Sequence, residues 1–261
     1  MLSDAEVQSI CRTIQQEYSA CDVSDALLKL KAPAAGFLSD IRMFLFFPAP
    51  LFIKQQLIFP DEVPIPGVNR ATRIVAPIST VLLVPTSEYT ASGSNIPKGK
   101  NWTEWSPPGT IVVAQQPKGN ISALLGDIMA SRLKVRGVLG AIVDGRIRDI
   151  ASCTTLCAEG EGNFQIWSKG FSSAGPSLEA KPWAVDVPLQ IGDISVKPGD
   201  ILCADEGDIA ITVVPGELLE QVFALLPVLK KASDGVIEDI KNGISLPEAV
   251  SRHPDFYSNY K

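Results

Sequence analysis

The chain has 261 residues, 46% of them apolar, and a formal net charge of −6, enough to bury a full core without disulfide or metal staples. The acidic balance and the lack of any long Lys/Arg run exclude a nucleic-acid partner gripped through its phosphates. Five cysteines without a paired framework, and no signal-peptide pattern, point to a reducing compartment, the cytoplasm.

The chain opens with Ser3 and, three residues on, Glu6, a capping-box pair ahead of Val7, Ile10, Cys11 and Ile14 at helical spacing. Residues 3–30 predict two short helices, the second opening near Asp22 or Ser24. Residues 31–72 are proline-rich and irregular. Within them, Met43 to Ile53 (MFLFFPAPLFI) is the one membrane-like run. It is too short for roughly 30 Å of hydrocarbon and Pro48 and Pro50 interrupt it, so it reads as a buried or interface-packed insertion, not a membrane span.

Arg73 to Val84 is β-branched and apolar and reads as a strand broken by Pro77; residues 85–108, around Trp102 and Trp105, read as an exposed excursion. A buried strand follows at Thr110 to Ala114, then a helix from about Gly126 to Arg136, a strand from Val138 to Val143 and a helix over Ile150 to Cys157. Further strands are predicted at 164–168, 182–187, 200–204 and 208–214, with turns at Lys197-Pro198-Gly199-Asp200 and Glu206-Gly207-Asp208. From Pro215 the pattern is helical, with Leu218, Leu219, Val222, Leu225 and Leu226 on one face. The mixture predicts one α/β domain over 1–261, a layered sheet with helices outside, an atypical insertion at 41–69 and a helical tail at 233–261.

The chemistry concentrates between Gly126 and Asp149, GDIMASRLKVRGVLGAIVDGRIRD. A helix start at Gly126-Asp127 offers free N–H groups and the positive end of a dipole to a carboxylate. Two carboxylates do not share such a place easily, so Asp127 is expected to point away or to cap the helix itself. The strand ending at Val143 delivers Asp144 to Asp149 at its carboxyl end, the usual place for ligand contacts in α/β sheets. Arg148 brings a planar, permanently charged fork for a carboxylate, carbonyl or enolate oxygen, and Asp149 a hard oxygen ligand. Taken singly, the helix start reads best as an ordinary cap and the Arg-Asp pair as a surface ion pair.

Composition narrows the alternatives. His253, the only histidine, stands before Pro254 with no organised site around it and reads as a solvated tail residue, which leaves no Ser-His-Asp or Cys-His mechanism and no histidine-rich zinc centre. Any catalytic metal is then Mg²⁺ or Mn²⁺, held by carboxylates and water. Cys153 and Cys157 share a helix face but read as small buried apolar residues. No glycine run matches a phosphate-binding loop or a dinucleotide fingerprint.

Taken together, the Gly126-Asp127 helix start, the apolar strand Gly137 to Val143 and the loop Gly145-Arg146-Ile147-Arg148-Asp149 resemble the signature of one family. It comprises the 4-hydroxy-4-methyl-2-oxoglutarate aldolases and the regulators of ribonuclease activity A. The later run from Val196 to Ile201, through Ala204-Asp205 to Val213-Val214-Pro215, is similar to the family's Pro-Gly-Asp, Ala-Asp and Val-Pro strand pair. The resemblance covers about residues 20–35 and 70–245; the segment from Ile41 to Asn69 does not fit it.

The resemblance implies an α/β/β/α layered domain of the swivelling type with N- and C-terminal helices. The backbone of Gly126, Asp127, Ile128 and Met129 would bind the pyruvyl end of a 2-oxo acid, Arg148 would contact that substrate as the catalytic residue, and Asp149 would hold a divalent metal, Mg²⁺ or Mn²⁺. It implies homotrimers or hexamers, with a further acidic residue supplied by a neighbouring subunit; charge and the short apolar run have already argued against nucleic acid and membrane as partners. The expected activity is Schiff-base-independent aldol cleavage of 4-hydroxy-2-oxo acids to pyruvate, with oxaloacetate decarboxylation as a secondary reaction. The alternatives are a non-catalytic regulator acting by surface contact, and a different 2-oxo-acid lyase whose pocket the 41–69 segment reshapes.

Overall fold

A computed structural model describes residues 2–43, 73–87, 94–159 and 164–256. Most of the 41–69 segment, and all but the first residue of the apolar run from Met43, lie outside the described residues.

The elements follow the sequence pattern closely. Helix α1 (Asp4–Glu17) carries the predicted capping box, with the Ser3 amide and hydroxyl both donating to Glu6 at 2.7 Å. Helix α2 (Ala20–Lys29) opens earlier than expected. Ser19 is its cap, and Asp22 is the reciprocal member of a second capping box, accepting the Ser19 N–H at 2.8 Å. The two-residue strand β1 (Arg42–Met43) precedes β2 (Arg73–Pro85), which runs through Pro77 unbroken. Proline is tolerated there because Pro77 ends the stretch paired with one neighbour, at Ile201, and Ile78 begins the stretch paired with another, at Ile111.

Next come β3 (Ile111–Gln115), β4 (Ala123–Leu125), α3 (Asp127–Val135), β5 (Gly140–Ile147), α4 (Ile150–Ala158), β6 (Gln165–Phe171) and β7 (Ala180–Val185). A two-stranded hairpin of β8 (Leu189–Ile191) and β9 (Ile194–Val196), absent from the sequence reading, leads into β10 (Ile201–Asp205) and β11 (Ala210–Val214). The chain closes with α5 (Leu219–Lys241) and α6 (Leu246–Arg252). Among the described residues no helix is long and apolar enough to cross a membrane.

These elements form two compact units. The first gathers Met1–Ser39, Arg73–Pro77 and Gln190–Lys261. In it β10 lies between β11 and the first half of β2, antiparallel to both. Ile14, Val23 and Leu27 from the N-terminal helices pack with Ile201, Cys203, Val222 and Leu226 in its core. At the C-terminal end His253 is not a solvated tail residue. Its ring lies against Gly235 of α5, where no side chain obstructs it, and its Nε2 is 3.3 Å from Asp239 Oδ2.

The second unit comprises Asp40–Thr72 and Ile78–Leu189. Strands β2, β3, β5 and β6 run parallel in that order, with β4 parallel to β5 and with β7 and β1 antiparallel at β2 and β6. Parallel strands covered on both faces need uninterrupted apolar runs, which Ile111–Ala114 and Gly140–Val143 supply, buried throughout. Leu133 of α3, Cys153 of α4 and Trp102 join Val112, Val143 and Ile147 in one cluster. Trp102 thus corrects the reading of residues 85–108 as an exposed excursion: its ring is core, while Trp105 stays partly exposed.

Candidate functional site

The residues singled out from the sequence meet where β5 ends and α3 begins, within the second unit. Strand β5 runs on to Ile147, so Asp144, Gly145 and Arg146 belong to the strand and not to a loop after it. A bulge between Val143 and Arg146 lets the strand continue, because Arg146 pairs with Ala123 on one side and Gly170 on the other. The turn is left with Arg148 and Asp149 alone. The Arg148 amide is fixed by Leu125 O at 2.9 Å.

Asp149 sits in the left-handed region, φ 57°, ψ 45°, which costs a residue with a β-carbon about 1–2 kcal/mol. It stands at the cap position of α4 yet makes no side-chain cap, forgoing about 1 kcal/mol that an aspartate usually supplies there. Its carboxylate instead turns to the start of the other helix. Oδ2 lies 3.3 Å from Arg148 Nε and accepts a long 3.4 Å hydrogen bond from the Asp127 amide.

The start of α3 has no side-chain cap, and Gly126 stands at the cap position. Asp127 therefore does not cap its own helix. A β-carbon on Gly126 would meet Asp149 Oδ2 at 2.5 Å and the Arg148 side chain at 3.2 Å, so glycine lets this carboxylate approach the helix amides. Ile128 is exposed, whereas Met129 is half-buried against the core. The Arg148 and Asp149 side chains are each somewhat over one-third exposed. Arginine, carboxylate and the first amides of α3, that of Asp127 held by the carboxylate through a long hydrogen bond, thus share one spot.

Cys153, one turn into α4, is buried, and its amide donates to Asp149 O at 2.9 Å. Burial, with the charges of Cys157, Asp127 and Asp149 adding to it, pushes its thiol up to about 12. It packs as a neutral group, as the sequence reading expects.

The parallel strands add features that no sequence motif announced. At their carboxyl ends Lys169 Nζ lies 2.5 Å from Asp144 Oδ1, and Gln115 Nε2 donates to Asp144 Oδ2 at 2.8 Å. Gln116 takes the space left by Gly145 and donates to the carbonyls of Asn120 and Ser122. At Gly175, a β-carbon would lie 2.9 Å from Arg148 Nη1. Strand pairing brings the first two sets together and a distant loop the third, so spacing in the sequence gives no sign of them.

The parallel-sheet unit sets the start of α3, which no side chain of its own caps, against an Arg-Asp turn at the end of β5. A family model described as RraA-like, Aldolase/RraA, matches residues 20–211, and the chain belongs to that family. A protein of Halalkalibacterium halodurans named "Putative 4-hydroxy-4-methyl-2-oxoglutarate aldolase" is 32% identical over 167 residues, 64% of this chain and 70% of that protein. Two further relatives match over 28% and 59% of their own lengths.

Among solved structures, an uncharacterized protein from Pseudomonas syringae pv. tomato superposes with a TM-score of 0.66 at 24% identity, covering 93% of this chain and 96% of that one. Streptomyces coelicolor RraAS2, described as an unusual member of the RNase ES inhibitor RraA protein family, gives 0.63 at 22% identity, covering 87% of this chain and 95% of its own. At these identities the two establish the fold: mixed α/β with N- and C-terminal helices.

Proposed function

We propose that this chain is a carbon–carbon lyase that releases pyruvate from 4-hydroxy-2-oxo acids of the 4-hydroxy-4-methyl-2-oxoglutarate type. The observation that carries this reading is the Asp149 turn, a left-handed aspartate that leaves its own helix uncapped and points with Arg148 at the start of α3. Membership of an aldolase-containing family and the printed name of the Halalkalibacterium relative support it.

In this reading the amides of Gly126, Asp127, Ile128 and Met129 receive the carboxylate of the 2-oxo acid. Arg148 faces the oxygen on which negative charge develops. A base in the site takes the proton of the 4-hydroxyl, the C3–C4 bond breaks, and C4 leaves as a carbonyl. The electron pair stays on C3 as the enolate of pyruvate, which Arg148 and the helix amides stabilise until C3 is protonated. Oxaloacetate carries the same head and loses CO₂ to the same enolate, so its decarboxylation is expected as a secondary activity.

A divalent cation belongs to this reading, and the residues fit it. Asp149 offers a hard, partly exposed carboxylate that leaves its own helix uncapped and makes only a long 3.4 Å contact to the first amide of α3, and Mg²⁺ typically takes only one or two carboxylates with water filling the rest. Among the described residues no group of three or more His, Cys, Asp or Glu gathers for a metal, so Asp149 would act with water and substrate, or with a carboxylate from a neighbouring subunit of a trimer or hexamer. Such a cation, when bound, polarises the 2-oxo group.

A second reading, a regulator acting by surface contact, draws on the family's double description and on the exposed Ile121, Ile128, Val135 and Leu178 of the second unit. Pyruvate release from 4-hydroxy-4-methyl-2-oxoglutarate and oxaloacetate, with Mg²⁺ or Mn²⁺ and then with chelator, separates the two. Metal-dependent release supports the lyase; folded protein inert with both metals contradicts it.

A further inference from the structure

Arg148 runs through a slot between two glycines from different parts of the chain. A β-carbon on Gly126 would lie 3.2 Å from its Cγ and Nε, and one on Gly175 would lie 2.9 Å from Nη1 and 3.6 Å from Cζ. Gly175 has φ −77° and ψ 164°, a conformation open to any residue. Its backbone therefore does not require glycine; the guanidinium occupies the space that a side chain would take.

The loop carrying Gly175 is held at both ends. Ser172 N donates to Ile147 O at 2.9 Å, and Ala174 O accepts from Ala123 N at 2.9 Å. Beyond the short helix Pro176–Leu178, the Glu179 carboxylate accepts the amides of Ile121 and Ser122, each at 2.8 Å. The strongest of these acceptor contacts holds the Glu179 carboxyl below the usual carboxylate range, so it stays ionised. The backbone at position 175 is thus held in place, and apart from chain neighbours a methyl group there meets only the free end of the Arg148 side chain among the described residues. The arginine yields and the fold does not.

We infer that Gly175 is a positioning residue: by offering no side chain, it sets where the Arg148 guanidinium stands relative to the start of α3. The role rests on the lyase reading for its activity readout, and on anion binding alone for its other readout. The test is Gly175→Ala in the full chain, alone and combined with Arg148→Lys, which removes the colliding Nη1. Binding of oxalate, a planar stand-in for a 2-oxo acid or its enolate, is measured by calorimetry with Mg²⁺, and kcat and KM are measured on oxaloacetate.

Gly175→Ala is expected to move Tm by no more than roughly 2 °C while weakening oxalate binding and lowering kcat/KM by roughly 10- to 100-fold. In the Arg148→Lys background it adds less than about twofold, because both changes act through one group. Wild-type affinity in Gly175→Ala, equal losses in both backgrounds, or no oxalate binding by wild type overturns the inference. Wild type that binds oxalate but releases no pyruvate defeats the lyase reading instead, and the oxalate cycle alone then decides the role of Gly175.

Discussion

Two of the Arg–Asp pairs among the described residues look equivalent in a list of charges and differ in every physical respect. In the first unit, Asp205 is 1% exposed; its Oδ2 lies 2.7 Å from Arg73 Nε and accepts the Ala20 amide at 3.0 Å, and its Oδ1 accepts the Gly207 amide at 2.9 Å. Arg73 in turn donates to Gln15 O at 3.1 Å. In the second unit, Asp149 and Arg148 are separated by 3.3 Å, partly exposed, and mounted on a left-handed turn. The first pair is saturated and tethers elements together. The second leaves hydrogen-bonding capacity facing solvent, as a site awaiting a ligand requires. On the proposed function, satisfaction, not the presence of opposite charges, separates the structural ion pair from the one assigned to the site.

Removing either member of each pair sharpens the contrast. The largest effect falls on activity: Arg148→Ala is expected to cut pyruvate release by at least about 100-fold, the scale of losing a preorganised donor to a developing oxyanion. Its urea unfolding free energy should change by less than about 1 kcal/mol, because an exposed pair contributes little. A variant that unfolds readily and keeps its turnover would reverse the assignment of roles.

The next largest effect is on stability. Asp205→Ala strands a mostly buried guanidinium and two amides and is expected to cost about 3–5 kcal/mol in denaturant titrations. A loss under about 1 kcal/mol would show that the tether is not structural.

His253 and Asp239 form an intermediate case, 3.3 Å apart with both side chains about a quarter exposed. Gly235→Ala drives a methyl into the imidazole ring. The helix-propensity gain of about 1 kcal/mol at that position is expected to be outweighed by loss of this docking. Faster amide exchange over residues 246–256 is the readout, and unchanged exchange would remove His253 from the account of how α6 is held.

The smallest effect concerns Asp25, a carboxylate whose charged neighbour is another carboxylate. Burial, with the Asp22 charge adding to it, pushes Asp25 up to about 6 from its ordinary 3.8. The folded state therefore binds this proton more readily than the unfolded chain. The penalty is fully present above about pH 6 and is relieved as pH falls toward 4. Asp25→Asn should unfold at higher denaturant than wild type at pH 7.5, with the gap closing on acidification. A gap that widens toward pH 4 would mean the carboxylate is stabilised in its charged form.

Much of this was legible in the sequence because it is local. The Ser3–Glu6 capping box, the apolar parallel strands and the Gly126 helix start are read from neighbours along the chain. The errors arose where another part of the chain decided the outcome. Strand β5 outran its predicted end because Ala123 and Gly170 pair with Arg146. Pro77 did not break β2 because its partners change at that residue. Trp102 is buried by strands on either side of it in sequence, and His253 is drawn in by a glycine on another helix. Within the site, Arg148 and Asp149 were visible as residue types, but the left-handed turn that aims Asp149 was not. The place of Gly175 beside Arg148 leaves no mark in the sequence, because its contribution is the lack of a side chain.

The most direct test of the central claim compares wild type with Asp149→Asn, which keeps the shape of the side chain and removes its charge. Pyruvate release from 4-hydroxy-4-methyl-2-oxoglutarate is followed with Mg²⁺ and after chelation, beside urea unfolding of both proteins. The account predicts release that chelator abolishes in wild type, a loss of at least about 100-fold in the variant, and superimposable unfolding curves. Equal turnover by the two proteins, or release indifferent to chelator, would contradict it.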